Sequence, residues 1–451
     1  MKKPRMKLKS APHLRRVRST VKDLSAEATA VAEAIAELAE PPLREFRSSD
    51  RLEAFLAGAG FRVTRPYGRM PTAFRAVAGS GRPTLGILAE YDALPDCGPR
   101  PGQWGHGCGH NLLGVAAATA GIAAAEALKS AGQAGRIVVF GCPAEEALHG
   151  KVFLAAQRAF AGLDAVLAWH PGGATNVNAG GGAAMDSVRF VFRGRTAHAA
   201  GGPHEGRSAL DAAVLTDVAV NYLREHVKEN ARIHCVIPDG GAAPNVVPDR
   251  AELWYYIRGK DRKQVDDLRR RVRLCARGAA TATETRWSMA FETCITERIP
   301  NQVMAELLDE LLHRCGPPAF TPAEIRAASK TLGGRKYDTK VGPLNPNAGR
   351  ASSDEDNVSW FAPLTCIRMA CVPKEVPGHH RDYAAAVRLP GAHRGMLKAA
   401  EVLAAAAVEL AVNAPLLKKA QAEFRKNRRG KSYRLPLPAS AVPPVYRKPK
   451  G

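Results

Sequence analysis

With 451 residues, 45% of them hydrophobic and 24% charged, the chain has a soluble globular composition with room for more than one core, which excludes a disordered or fibrous polypeptide. Lysine and arginine outnumber aspartate and glutamate by 65 to 43, a formal net charge of +22, yet much of the excess gathers at the ends: residues 2–18 hold eight basic and no acidic side chains, and residues 425–450 add a Pro-spaced basic run. Without apolar periodicity or interleaved aromatics, these ends read as solvated tails, 1–24 and 431–451, and exclude a specific nucleic-acid surface. Nine cysteines at no paired spacing read as reduced thiols. The longest apolar run, 112–125, is short for a bilayer and no secretory leader is read, so a cytoplasmic protein without a membrane partner is expected.

Residues 25–40 carry helical spacing through Val31, Ile35 and Leu38 and stop at Pro41 and Pro42, and residues 51–59 predict a second helix. From Thr84 the run TLGILAEYD is continuously apolar until it ends in polar residues, as in a strand covered on both faces of a parallel sheet. A glycine-rich loop, GHGCGHNLLG over 105–114, follows. His106, Cys108 and His110 alternate there, pointing the same way among neighbours small enough for a ligand to approach closely. An Ala-rich helix runs from Leu112 to about Lys129. The pattern then repeats: RIVVFG (136–141) runs into CPAEE with Glu145 beside Glu146, KVFLAAQRAFAG is helix-like, and DAVLAW (164–169) runs into His170.

The next region has a different rhythm. Residues 187–194 alternate like a half-exposed strand, and 208–227 form an amphipathic helix with Ser208 as its cap and Leu210, Val214, Val218 and Leu223 on one side. Residues 233–237 and 251–259 alternate again, 261–277 predict a second helix, and TETRWSMAFE closes as a strand. The order is that of the ferredoxin-like βαββαβ unit. Helical spacing resumes at 303–312, and TCIRMACV (365–372) is a fourth buried strand, followed by PGHH with His379 and His380. The fold class expected is α/β, a largely parallel-sheet domain in two parts, 25–185 and 294–430, with the ferredoxin-like domain inserted at 186–293.

Ligands of open α/β sheets bind outside the carboxyl ends of the strands, so the four loops converge. Thiolate, imidazole and carboxylate together suit Zn²⁺ or a neighbouring late transition metal, whereas Mg²⁺ and Ca²⁺ prefer all-oxygen shells. Successive side chains diverge, so one of Glu145 and Glu146 is expected to ligate and the other to act as base for a water attacking a polarised carbonyl. Cys108, His110, one Glu, His170 and one histidine of PGHH suffice for two ions with one shared ligand. Asp92 suits a carboxylate that accepts the second N–H of a ligand histidine. His106 is left between a supporting contact and packing.

AEYDALP, GHGCGHNLLG, PAEE, AWHP, GRTAHAAGGPHEGRSALDA, PNVVPDRAEL and PGHH, in this order, resemble the dinuclear-metal aminoacylase and carboxypeptidase superfamily. The nearest likeness is its amidohydrolase branch that includes p-aminobenzoyl-glutamate hydrolase and related dipeptidases, over residues 25–430. The resemblance implies a metal-dependent amidohydrolase or peptidase acting on a small-molecule amide or dipeptide with a carboxylate. It implies two divalent metal ions, Zn first with Mn, Co or Ni as alternatives, and an inserted lid through which a homodimer forms. By motif, Cys108 resembles the bridging ligand, His110 and His170 complete one metal shell, and Glu146 and His379 the other. Glu145 resembles the general base, and His198 the histidine that crosses the dimer to polarise the scissile carbonyl. Asn245 and Arg258 resemble substrate contacts, an Arg fork suiting a carboxylate. The chain departs from many relatives in reading CGHN, with Asn111, where they have CGHD, and the PGHH doublet leaves His379 and His380 as rivals, His379 favoured because it follows PG. An aminohydrolase using the same water, or a non-catalytic partner subunit on this fold, are the alternatives.

Overall fold

The computed structural model describes residues 8–345, 352–438 and 440–444. The chain divides into two units: one takes in the chain up to Gly181, a stretch beginning at Ile299, and Asn357–Tyr433, while the other is built on Gly182–Arg298. The strands in chain order are β1 (Arg62–Thr64), β2 (Phe74–Ser80), β3 (Thr84–Ala89), β4 (Gly135–Gly141), β5 (Ala165–Gly172) and β6 (Asn176–Asn178). The second unit contributes β7 (Ala184–Arg193), β8 (Arg232–Asp239), β9 (Arg250–Gly259) and β10 (Arg286–Ile295), after which β11 (Leu364–Ala370) returns to the first.

In the first unit seven strands form one sheet in the order β1-β2-β4-β3-β5-β11-β6. Its centre, β4-β3-β5-β11, is parallel throughout and consists of the four runs expected as buried strands. All six residues of β3 are buried, the double coverage that parallel sheets require. The three strands not anticipated pair antiparallel: β1 and β6 have three residues each, and β2 mixes buried with exposed positions, so none offers a continuous apolar run.

The crossover from β3 to β4 is the helix His110–Ser130. Its glycines let it lie close on the sheet: a β-carbon at Gly114 would sit 2.6 Å from the Glu90 carbonyl oxygen, and one at Gly121 would sit 2.5 Å from Val139 Cγ2. The helix extends beyond the 112–125 run, and its 21 residues are long and apolar enough to cross a membrane, correcting the expectation that no stretch is. Inside the unit 89% of that apolar window is buried, the all-round apolarity of a core helix.

The 1–24 tail also needs correction. Leu14–Asp23 is a helix with Val17 and Val21 in the core and Arg15, Arg16 and Arg18 outside. A stripe this narrow, set among charges, gives little periodicity to read. Upstream of it the backbone N–H groups of Lys9 and Ser10 donate to the buried Glu409 carboxylate at 3.1 and 2.6 Å. Tyr433, placed in the C-terminal tail, stacks edge-on to Phe361 at 5.0 Å between ring centroids. Residues 1–7 and 445–451 lie outside the described residues.

The second unit is a four-stranded antiparallel sheet, β10-β7-β9-β8, with the helices Ala209–Leu223 and Arg262–Ala282 packed on it. Its element order is the ferredoxin-like one. Ser208 Oγ accepts the Asp211 N–H at 3.1 Å and an Asp261 carboxylate oxygen accepts that of Gln264 at 2.9 Å, capping the two helices. The side of the first helix that carries Val214 and Val218 faces outwards. Small residues, Ala209, Ala212, Ala213 and Thr216, with Val220 make the face that meets the sheet, so Val214, Leu215, Val218 and Tyr222 are exposed. The edge strand β8 likewise exposes Val236 and Ile237. Where the unit begins and ends the chain meets itself, the Arg298 N–H donating to the Gly182 carbonyl at 3.4 Å.

Candidate metal centre

Beyond β3, Glu90 and Asp92 are both buried. Asp92 Oδ1 accepts the Nδ1–H of His110 at 2.8 Å and Oδ2 accepts the backbone N–H of Glu146 at 2.9 Å, so one carboxylate joins the loops that follow β3 and β4. With Nδ1 engaged by Asp92, Nε2 is the nitrogen that His110 turns towards the other donors. That nitrogen lies 3.3 Å from Glu90 Oε2, 3.8 Å from Glu146 Oε1 and 3.9 Å from Glu145 Oε2.

The glycine-rich loop brings the thiol. Gly109 has φ 79°, and a β-carbon there would be 2.7 Å from Pro171 Cγ, so only glycine lets the loop lie against the end of β5. Cys108 Sγ is thereby 3.3 Å from His170 Nε2, while the Nδ1–H of His170 donates to the Pro171 carbonyl at 2.6 Å. His379 docks on the same loop through its own N–H, 2.8 Å from the Gly107 carbonyl, and its Nε2 stands 3.5 Å from Glu146 Oε2. His380 instead accepts the Asp382 N–H on Nδ1 at 3.1 Å and caps the short helix Arg381–Ala386. Donor atoms of Cys108, His110 and His170 all lie within 4.8 Å of one another, as do those of Cys108, Glu146 and His379, so Cys108 is common to both triplets.

Crowding shapes the protonation of these groups. Burial pushes the Cys108 thiol up to about 12. Burial, reinforced by the Glu145 charge, pushes Glu146 up to about 8, while burial and Glu90 raise Glu145. His170 is held down at about 3 by burial and His110. Burial also opposes charge on His110, but Asp92 and Cys108 outweigh it and hold that imidazole well above its ordinary range. A divalent cation would reverse this pattern by drawing the protons off thiol and carboxyl. His110 Nε2 and Glu146 Oε1 are buried with no hydrogen-bond partner, a cost of about 1–3 kcal/mol apiece that ligation would remove. The donor set and its orphaned atoms therefore fit a pair of late transition metal ions.

His106, on the same loop, is a tie instead. Its Nε2–H donates to the Ile35 carbonyl at 3.1 Å and its Nδ1 accepts the Asn111 N–H at 3.2 Å. In the second unit, His198 and Asn245 stand beside each other: Ala199 N–H donates to the Asn245 carbonyl at 3.0 Å and His198 bridges to Val246. His198 Nδ1 accepts the Ala200 and Gly201 amides at 3.2 and 3.0 Å, which leaves its hydrogen on Nε2. Arg258, on β9, donates to Ser352 Oγ at 2.9 Å and lies over the Tyr256 ring.

Two neighbours of the centre escaped the sequence reading. Glu90, at i−2 from Asp92 and so on the same side of an extended chain, forms a third donor group with His110 and Glu145. Lys151 is fully buried, its Nζ 2.8 Å from Glu90 Oε1. Glu90 stood in plain view inside AEYDALP, whereas nothing local marks a lysine within an apolar helix as a partner.

Residues 182–283 match the peptidase dimerisation domain family. One of the p-aminobenzoyl-glutamate hydrolase chains of Escherichia coli K12 is 33% identical over 92% of this chain and 95% of its own length. Xaa-Arg dipeptidase from Mus musculus is 31% identical over 91% and 92% respectively. Among solved structures, an aminobenzoyl-glutamate utilization protein from Klebsiella pneumoniae superposes with a TM-score of 0.62 at 20% identity, covering 87% of this chain and 98% of that one. A dinuclear metal binding peptidase of the M20 family from Bacillus subtilis gives 0.58 at 18% identity, covering 87% and 99%.

Proposed function

Because this chain belongs to the M20 peptidase family and is a hydrolase of amide bonds, we propose that it cleaves an N-acyl amino acid, an aminobenzoyl-glutamate-like compound or a short dipeptide, with a free carboxylate on one product. The observation that carries this reading is the thiol of Cys108 shared by two donor triplets, with Glu145 beside them. Cys108 would bridge two divalent ions, His110 and His170 would complete one shell, and Glu146 and His379 the other. The mixed sulfur, nitrogen and oxygen set suits Zn first, with Mn, Co or Ni as alternatives.

When bound, the ions supply Lewis acidity that polarises the scissile carbonyl and makes water easier to deprotonate. Glu145 takes a proton from the attacking water as the new C–O bond forms and delivers it to the amine nitrogen as the C–N bond breaks. Asp92 holds the His110 ring and the Glu146 peptide in place for that exchange. His198 donates from Nε2 to the carbonyl oxygen as negative charge develops there. Asn245 and Arg258 hold the substrate, the guanidinium fork on its carboxylate.

The exposed apolar residues of Ala209–Leu223 and β8, within the segment that matches a dimerisation domain, support a homodimer in which His198 serves the partner's site. All nine cysteines are free thiols, as in a reducing compartment, which supports a cytoplasmic enzyme.

The test uses protein loaded with Zn²⁺ or Mn²⁺. Elemental analysis should find about two ions per chain, and a panel of aminobenzoyl-glutamate, acyl amino acids and dipeptides should reveal turnover. Glu145→Gln should keep its ions and lose turnover by about 10²–10⁴-fold. Wild-type rates in that variant remove the base assignment, and a wild-type protein that is metal-free and inert across the panel removes the whole reading.

A further inference from the structure

The direction in which Glu145 leaves the chain is set by its backbone, and buried carboxylates hold that backbone on either side. Asp92 takes the Glu146 N–H. On the other side stands Glu45, which precedes the helix Phe46–Gly58 and has no accessible surface. Its Oε1 accepts the Ala144 N–H at 2.9 Å and, at the same oxygen, the Leu43 N–H at 2.8 Å. Both donors belong to residues in the left-handed region, φ 57° at Ala144 and 66° at Leu43. That conformation costs a residue with a β-carbon about 1–2 kcal/mol, a cost that the hydrogen bonds to Glu45 help to offset.

The turn that carries Glu145 also holds hydrogen bonds of its own. Leu148 N–H donates to the Glu145 carbonyl at 2.7 Å and His149 N–H to that of Ala144 at 3.0 Å. A β-carbon at Gly150 would fall 1.8 Å from the Pro143 oxygen. These bonds tie the segment 143–150 together, and Glu45 holds it at the Ala144 amide. From this we infer that Glu45 is a positioning residue for the hydrolysis, fixing the Ala144 peptide and through it the placement of the Glu145 carboxylate. The inference rests on the reading of Glu145 as general base. Burial and Asp92 push the Glu45 carboxyl up to about 8, so near neutral pH a glutamine amide imitates both its shape and its acceptor oxygen.

The experiment compares Glu45→Ala and Glu45→Gln in the full-length, metal-loaded protein. It reads hydrogen exchange of residues 143–150, metal content, and kcat and KM on p-aminobenzoyl-glutamate. In Glu45→Ala the segment should exchange faster and kcat should fall about 10–100-fold, the scale of a 1 Å misplacement, with KM within about twofold and metal content unchanged. Glu45→Gln should restore exchange and kcat together. Where Glu45→Ala does not fold, Glu45→Asp, whose carboxylate ends one methylene short of the Ala144 N–H, takes its place with the same outcomes expected and the same outcomes overturning. It is overturned by a Glu45→Ala protein with wild-type kcat, by a fall in kcat without faster exchange in 143–150, by loss of metal, or by a folded Glu45→Gln as slow as Glu45→Ala. If the wild type leaves p-aminobenzoyl-glutamate intact, that substrate assignment fails on its own, and the exchange arm still decides the part played by Glu45.

Discussion

His106 and His110 lie four residues apart and end in opposite electrostatic states because of what stands behind each ring. His110 has the Asp92 carboxylate, which favours a proton; His106 has the Ile35 carbonyl on one nitrogen and the Asn111 amide donating to the other. Burial, with His110 nearby, lowers His106 to about 4. The sign follows from linkage. Above the ordinary value of about 6.5 neither folded nor unfolded chain is protonated at this ring, and its stabilising bonds are intact. As pH falls from about 6.5 towards about 4 the unfolded chain takes up a proton that the folded one refuses, so stability declines by about 1.4 kcal/mol per pH unit. Urea midpoints from pH 7.5 to 4.5, with metal state held fixed, should therefore fall more steeply in the wild type than in His106→Gln, itself the less stable protein at pH 7.5. Parallel curves would remove this account of the ring.

At the scale of elements, glycines in two helices make opposite predictions. Gly114→Ala would drive a methyl group into the Glu90 carbonyl and Leu52 where the helix His110–Ser130 crosses the end of β3, and backbone cannot swing aside. A loss of about 1–3 kcal/mol is expected, with weaker metal retention, since Glu90 and Asp92 follow on that strand. Gly278→Ala, inside Arg262–Ala282, meets nothing within 4 Å and should gain about 0.5–1 kcal/mol. Thermal melts of the two variants check both, and a stabilised Gly114→Ala would show that the helix lies looser than described. The same elements show what could be read without coordinates. The four parallel strands were legible because burial on both faces writes an unbroken apolar run, and the donors were legible because each follows such a run. β1, β2, β6 and Leu14–Asp23 write no such run, being short, half-covered or narrow in their apolar stripe. Glu45 escaped for another reason: it meets Ala144 across 99 residues, and a single buried acid carries no periodicity. His198 reads from its surroundings as a turn histidine, which its hydrogen bonds to Ala200 and Gly201 make it.

At the scale of the whole molecule, the proposed dimer makes the outward apolar residues of Ala209–Leu223 a measurable surface. Val218→Glu, combined with Tyr222→Glu, puts charge on a face that is already exposed, Tyr222 at 77%, so each chain should fold normally. Light scattering should then report a particle near the 48.2 kDa chain mass rather than twice that value, and turnover should fall with it if His198 serves the partner's site. A variant that stays dimeric places the interface elsewhere, and a monomer of undiminished activity removes the cross-subunit use of His198. Gly182 and Arg298, where they meet, also set a rule for the chain between them. An excursion that sets out and returns at one spot asks almost no extra loop-closure entropy of its host. The host is accordingly indifferent to how long the detour is: excising it and rejoining the cut with a few small residues should yield a chain that still assembles its seven-stranded sheet.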